Sequence, residues 1–233
     1  GMAIYEAAVD KTNQLKDSHS QIVMAMTMGS GEDSLEMLTE VESWVRNSDN
    51  PENMEMIANT KATIFGYDAL TTIYAVGNQY YMASEYANYK ISEEEIGLYA
   101  NNMSKENTLL TSDLISNVKA KEVDGGYEIT YAINKNALGQ VMGQETTGSL
   151  DNTVFKNLYG SAFVGNDGYI HSTKIHITFT VSAGNYSLET DLLITMENEM
   201  LSTDYIFEFP DFDTFEEIDF SSILDGLGDI QGS

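Results

Sequence analysis

The chain contains no cysteine, which excludes disulfides, thiolate metal sites and cysteine nucleophiles. It holds two prolines, so a long Pro-rich linker is absent. Three histidines and one tryptophan are the only residues of their kinds. Basic residues are also scarce: 11 Lys and Arg stand against 37 Asp and Glu, a net charge of −26 over 233 residues. A nucleic-acid binder needs clustered basic charge to displace phosphate counterions, and this chain presents the opposite field. A polybasic membrane-surface segment is excluded on the same ground. No apolar run approaches the roughly 20 residues of a membrane-spanning helix. The lack of cysteine says little about compartment. Gly1 ahead of Met2 carries neither a basic nor an apolar leader and reads as the scar of a cleaved tag. A targeting segment is therefore expected to have been removed.

What is present is globular in character. Hydrophobic residues make up 42% and charged residues 21% of the chain. At about 150 residues per domain, the length allows one large unit or two small ones. No composition break divides it, so a single domain over 1–233 is expected, with 221–233 as a frayed Gly- and Asp-rich tail. Residues 3–17 show helical spacing through Ile4, Ala7, Ala8, Lys11 and Leu15. Alternating runs then predict strands near 22–28, 36–46, 54–64, 70–76 and 79–84, joined by turns too short for parallel crossovers. Helical segments are expected within 92–117, where Ser92 precedes Glu95, and over 134–157. A hairpin at Asp124-Gly125-Gly126 separates strands 117–123 and 127–133. Further strands are expected near 158–164, 169–181, 186–196 and 203–209, with Asp213 capping a turn over 214–218. The fold class is α+β: a large bent antiparallel sheet forming an open half-barrel, with helices packed on its concave face.

The strands divide into an apolar and a wet face. Ile175, Ile177, Phe179 and Val181 share one side, as do Leu188, Leu192, Ile194 and Met196. The unusual apolar residue is methionine, with 12 copies. Met24, Met26 and Met28 share a strand face, and so do Met54 and Met56. The plain reading is core filling. The functional reading is a pocket for an acyl chain, since thioethers adapt to varied apolar shapes. Met24, Met26, Met28, Met54, Met56, Ile177, Phe179, Leu192 and Ile194 are the candidate ligand-binding residues.

Reaction chemistry finds little to stand on. His171 and His176 lie an odd number of positions apart, so strand alternation places them on opposite faces and denies them a shared metal. Asp211 to Ser222 lacks both the sixth-position Gly and the final Glu of a calcium loop. Glu189 with Asp191 is a pair of the kind that 37 acids produce on a wet face. Phosphate-binding and serine-nucleophile motifs are absent, and Gly29-Ser30-Gly31 is followed by acids that repel phosphate. No catalytic residue, metal or cofactor is expected. After Lys174 there is no Lys or Arg, while Asp and Glu number 13, which suits solubility at a cell exterior.

The order of motifs carries a resemblance. A Tyr5-x-x-Ala8-x-x-Lys11-Thr12-x-x-Leu15 helix leads into the strand Ile22-Val23-Met24-Ala25-Met26-Thr27-Met28. Later come Gln79-Tyr80-Tyr81-Met82 and Tyr89-Lys90-Ile91. This pattern resembles secreted lipoproteins of Gram-positive bacteria, whose fold is similar to that of the lipoprotein carriers LolA and LolB. The resemblance implies an open barrel with helices as a lid over an apolar concave face. It also implies export, a lipid-modified Cys upstream, and an acyl ligand. Membrane contact would then run only through that anchor, at the extracellular face of the cell membrane, or the protein would be secreted. The family has no catalytic motif, so no residue role transfers. A tandem of two cystatin-like units is a weaker likeness. The expected function is a non-enzymatic exported binding protein for a lipid or other hydrophobic small molecule, with no nucleic-acid partner. The alternative is a surface module that binds a protein or cell-wall polymer and holds no internal ligand.

Overall fold

The computed structural model describes residues 1–29, 34–92, 109–135, 153–183 and 186–217. Its first element is α1 (Met2–Asn13), which buries Tyr5, Ala8, Val9 and Thr12. Those positions follow the i, i+3, i+4, i+7 spacing of one helix face. The stripe expected from Ile4, Ala7, Ala8, Lys11 and Leu15 is thus rotated about the axis and shares only Ala8 with the buried face of the helix. The reason is that two polar side chains are satisfied inside. The Tyr5 hydroxyl donates to the Leu110 carbonyl at 2.9 Å. The Thr12 hydroxyl donates to the Ala8 carbonyl at 2.7 Å and accepts from the Ile170 N–H at 2.9 Å. A buried polar group with its bonds made carries no large desolvation penalty. Lys11 stays on the outside, where its ammonium donates to the Asp167 carbonyl at 2.5 Å and lies 4.4 Å over the Tyr169 ring.

The strands are β1 (Ser18–Met28), β2 (Leu35–Arg46), β3 (Glu55–Ile64), β4 (Tyr67–Val76), β5 (Gln79–Ser84) and β6 (Asn88–Ile91). They continue with β7 (Ile115–Val123), β8 (Gly126–Ile133), β9 (Thr153–Gly165), β10 (Ile170–Ala183), β11 (Tyr186–Met200) and β12 (Glu216–Glu217). All belong to one open sheet in the order β12-β6-β5-β4-β3-β2-β1-β11-β10-β9-β8-β7. Two meanders, β1–β6 and β7–β11, are therefore joined where β1 pairs with β11. That ladder runs for eleven residue pairs, as does the ladder from β1 to β2 on its other side. Every pairing is antiparallel except β12 with β6, which is parallel over two residue pairs. The terminal strand β7 is guarded against further pairing by a register shift between Ser116 and Lys119, by Asn117 at φ 53°, and by exposed Lys119 and Lys121.

The sheet dominates the molecule, so the α+β expectation is corrected: among the described residues α1 is the one α-helix. Of the helical region expected at 134–157, residues 136–152 lie outside the described residues, and 153–157 belong to β9. Of that expected within 92–117, residues 93–108 lie outside. The rest forms a loop, a short turn at Ser112–Leu114 and the start of β7. The alternation at 203–209 is not a strand: 203–204 form a turn, closed by the Tyr205 N–H donating to the Ser202 carbonyl at 3.1 Å, and 205–209 join no ladder among the described residues. The turn that follows is Phe212–Thr214, capped by Asp211 rather than Asp213, because the Asp211 carboxylate accepts from the Asp213 N–H at 3.1 Å.

Two apolar clusters share the face on which α1 packs, called here the inner face. The larger joins Tyr5, Ala8 and Val9 of α1 to Leu109 and Leu110 and to the inner residues of β8–β11. The smaller joins Ala58, Ile73 and Ile91, with Met56, Tyr80, Met82 and Tyr89 packed against it.

Candidate functional site

Cross-strand partners point to the same side of a sheet, so the pairing registers define rows across the inner face. One row reads Tyr67, Ile64, Met37, Met26, Leu192, Ile177. Exposure falls along it, from 81% at Tyr67 and 44% at Ile64, through half-buried Met37 and Met26, to 0% at Leu192 and Ile177. The next row reads Ala69, Ala62, Thr39, Met24, Ile194, Ile175, Gly160, Tyr131 and shows the same trend. Both rows are apolar throughout apart from Thr39 and the Tyr hydroxyls. Together they make a shelf that is open over β3–β4, half-covered over β1–β2 and filled beneath α1.

The candidate residues fall into three groups. Met24, Met26 and Met28 line the half-covered zone, with Phe179 half-buried beside them through Thr190. Ile177, Leu192 and Ile194 lie on the same face but inside the filled core, at no more than 2% exposure. Met56 and Met54 belong elsewhere. Met56 packs on the smaller cluster, six positions down β3 from Ala62, or about 20 Å away. Met54 precedes β3 and accepts from the Gly77 N–H at 2.8 Å through its carbonyl. Met37, Ile64 and Tyr67 are not among the candidate residues. Their shared row is set by register, which the period of one strand does not contain.

Tyr5 and Tyr131 are the polar groups buried at the filled end, with ring centroids 5.3 Å apart. Burial pushes the Tyr5 phenol up to about 12. Burial also pushes the Tyr131 phenol well up, and the neighbouring Tyr5 adds to the shift. Among the described residues the Tyr131 hydroxyl has no partner in hydrogen-bond geometry.

The opposite, outer face is polar and carries all three histidines. A bulge between Ile170 and Ser172 resets the alternation of β10, so His171 stands on the same face as His176, contrary to the odd-spacing argument. They remain about five positions apart and do not meet. His171 contacts both Asp167 oxygens at 3.0 Å. His176 contacts the Tyr159 hydroxyl at 2.5 Å and the Asp191 carboxylate at 2.9 Å. Glu189, the acid paired with Asp191 in sequence, contacts Lys156 at 2.8 Å instead. Among the described residues no group of three or more His, Asp and Glu is arranged to hold a metal ion.

His19 sits on the seam between the meanders. Its ring nitrogens contact Glu199 at 2.8 Å and Glu42 at 3.0 Å, and its ring stacks on Trp44 at 5.1 Å. Burial pulls its pKa down, but the two carboxylates outweigh this, so the value stands above that of a free imidazole. A raised folded-state pKa means that the clasp adds stability fully below the unfolded value of about 6.5 and loses it as pH rises through the folded value. The melting-temperature advantage of the wild type over His19→Gln should therefore shrink as pH rises from about 6 to about 8. An advantage that stays constant or grows over that window would discard the clasp.

An aromatic strap, residues 205–215, crosses the outer face beyond Trp44. Tyr205 stacks on Trp44 at 6.0 Å, Phe207 lies beside Tyr205 at 5.0 Å, and Phe212 stacks on Tyr81 at 3.8 Å. Arg46 covers the Phe207 ring at 5.1 Å and donates to the Tyr205 carbonyl at 2.8 Å.

Three solved structures resemble the chain in outline. LprF from Mycobacterium bovis is 12% identical, over 90% of this chain and 95% of its own, with a TM-score of 0.47. A DUF1329 family protein from Desulfovibrio piger ATCC 29098 is 10% identical, over 88% of this chain and 94% of its own, with a TM-score of 0.25. A LolA superfamily protein from Nitrosomonas europaea is 10% identical, over 91% of this chain and 96% of its own, with a TM-score of 0.24. At these scores none of the three assigns a ligand or an activity to this chain. No protein-family model matches the sequence, and no curated protein does.

Proposed function

We propose that the protein is a non-enzymatic binding protein that holds an acyl chain or similar apolar ligand along the inner face of its open sheet. The observation that carries this reading is the row from Tyr67 to Ile177, which runs without a charge from open surface into the core. A chain laid on it would cover Ile64, Met37 and Met26 and end against the wall of Leu192 and Ile177. Met24, Met26, Met28 and Met37 suit that role because thioethers repack around chains of different length. Ile194 and Phe179 would back the wall, while Met54 and Met56 would stand apart from the ligand unless it reaches the smaller cluster. Export and a lipid anchor outside these residues belong to the same reading.

Each buried ligand CH₂ is worth roughly 0.8 kcal/mol, so affinity should climb with acyl length until the shelf is covered. Met26→Asp should weaken binding by at least about tenfold, because its carboxylate would have to be desolvated or protonated. Val23→Asp, on the outer face of the same strand, should leave binding unchanged. The measurement is displacement of a fluorescent fatty acid over a chain-length series, with circular dichroism confirming the native fold of each variant. Native mass spectrometry of gently purified protein should show co-purifying lipid. Flat, negligible affinity at every length would sink the proposal. It would favour a surface module working through the outer face. A cleft of about 440 Å³ lies there, lined by Gln21, Glu40, Asn59 and Lys61 together with Val23 and Leu70.

A further inference from the structure

Among the described residues eleven large apolar side chains are left in solvent; Leu70, Tyr86 and Tyr159 stand apart, and five of the others gather at one end of the sheet. The β3–β4 turn carries Ile64 at 44%, Phe65 at 75% and Tyr67 at 81% exposure. The start of β9 carries Val154 at 63%, and the start of β11 carries Leu188 at 45%. Strand directions and registers put all five at one end of the sheet, where β3 finishes and β4, β9 and β11 begin. The other end exposes Val76, Met200 and Ile206, and shares them with Asp17, Glu52 and Asp204 and with the pairs Lys16–Asp49, Arg46–Glu55 and His19–Glu199.

Phe65 is held against its own preference. Its φ is +53° and that of Gly66 is +77°, the pair of left-handed conformations that a two-residue hairpin turn demands. Asn or Gly is the usual first residue of such a turn, and a bulky ring there is strained. With three quarters of its surface in solvent, the residue has little packing inside the chain to offset that strain. A strained aromatic kept at an exposed tip points to a contact outside the molecule.

The neighbouring charges say what kind. Among the described residues Lys61 contacts Asp68 at 3.1 Å and Lys156 contacts Glu189 at 2.8 Å, so these four ions behind the tips cancel in pairs. The five side chains come from three separate segments, spread from β4 to β9 across six strand spacings, or about 29 Å. A bilayer surface meets all of them at once. A tyrosine ring suits the headgroup layer because it has an apolar body and a polar hydroxyl, and a phenylalanine ring is buried as an apolar side chain at the acyl boundary just beneath. Exposed Glu36 and the net charge of −26 disfavour an anionic layer.

We propose that this end of the sheet docks on a neutral lipid bilayer, with Phe65 and Tyr67 as ring anchors and Ile64, Val154 and Leu188 as the apolar rim around them. The docking needs no ligand on the inner face and stands apart from the acyl-binding reading. It would, however, bring the exposed end of the Tyr67–Ile177 row against the membrane.

The test is flotation of the purified protein with phosphatidylcholine vesicles. Wild type should float, and adding phosphatidylserine should reduce the bound fraction. Phe65→Asn should weaken vesicle binding by about tenfold, since a buried phenyl is lost, and Tyr67→Ser should weaken it as well. Thermal stability should be unchanged or raised in Phe65→Asn, because Asn tolerates the left-handed turn that Phe resists. A residue kept for internal packing would show the reverse. Phe65→Trp should give a blue-shifted emission on vesicles over the background of Trp44. Wild type that fails to float, Phe65→Asn that floats as well as wild type, or binding confined to phosphatidylserine vesicles would each overturn the proposal. So would concentration-dependent self-association that Phe65→Asn abolishes, which would assign the tips to a second copy of the chain.

Discussion

Gly160→Ala is expected to cost about 3 kcal/mol of stability, the upper range for overpacking a core. A methyl group built on Gly160 would stand 2.3 Å from Cε2 and 2.6 Å from Cζ of Tyr131. Such a separation is well inside van der Waals contact, so the ring must move. It has nowhere to go: Tyr131 is 3% exposed and faces Tyr5 of α1. Gly160 lies directly across from Tyr131 on one side and Ile175 on the other, in the row that ends at the filled core. The clash would therefore be passed to the helix. Urea unfolding should show a lower midpoint with an unchanged slope. In a Tyr131→Leu background the same Gly160→Ala change should cost less than half as much, because the leucine leaves room for the methyl. A cost below about 1 kcal/mol in the wild-type background would show that the ring is free to swing aside.

Tyr81→Ala is expected to cost about 3–4 kcal/mol and to release the strap. Tyr81 is 7% exposed although it stands on the outer face of β5. The strap buries it: Phe212 stacks on its ring at 3.8 Å with 11° between planes, and Phe215 meets it edge-on at 5.6 Å. Its hydroxyl donates to the Gln79 side chain at 2.6 Å. Phe212→Ala removes only the upper ring of the stack and should cost less, with a coupling to Tyr81 of about 0.5–1.5 kcal/mol in a double-mutant cycle. Limited proteolysis mapped by mass should find the first new cleavages of Tyr81→Ala between residues 201 and 217. First cuts elsewhere, or no acceleration there, would mean that the strap is held by something other than these rings.

The strap also shows why part of this structure could not be read from the residues. Tyr205, Phe207 and Phe209 recur at every second position as they would in a strand, yet no strand forms there. What decides strand or strap is whether the backbone finds a ladder partner, and here ring contacts take that place. The helix face was misread for a related reason. Tyr5 and Thr12 look polar in a period count, yet each is buried because Leu110 and Ile170, more than 100 positions away, complete their hydrogen bonds. The His171 error came from one inserted residue in a ladder that alternation treats as regular. The first meander was legible, because β1 to β5 are local hairpins whose apolar period and turns agree. In the site, the common face of Met24, Met26 and Met28 could be read, since it needs only a period of two. That Ile177 and Leu192 are sealed while Met26 is half-open could not, since it depends on where α1 lies down.

The seam between β1 and β11 has a consequence for the order in which the chain is made. Within each meander a strand pairs with its sequence neighbour, so each ladder can close soon after synthesis. β1 differs. Its second neighbour begins at Tyr186, while β1 itself ends at Met28. At roughly 5–20 residues per second, translation leaves that gap open for about ten seconds or longer. Throughout that interval β1 is the border of a half-built sheet, with free backbone donors and acceptors and with Met24, Met26 and Met28 on its apolar side. α1, at the very start of the chain, has likewise no β8–β11 floor to lie on until the same stretch arrives. The nascent protein thus shows, for a time, the same kind of surface that its finished form keeps along one open shelf. A holding chaperone would find its handle on β1, and would lose it when β11 zips into place.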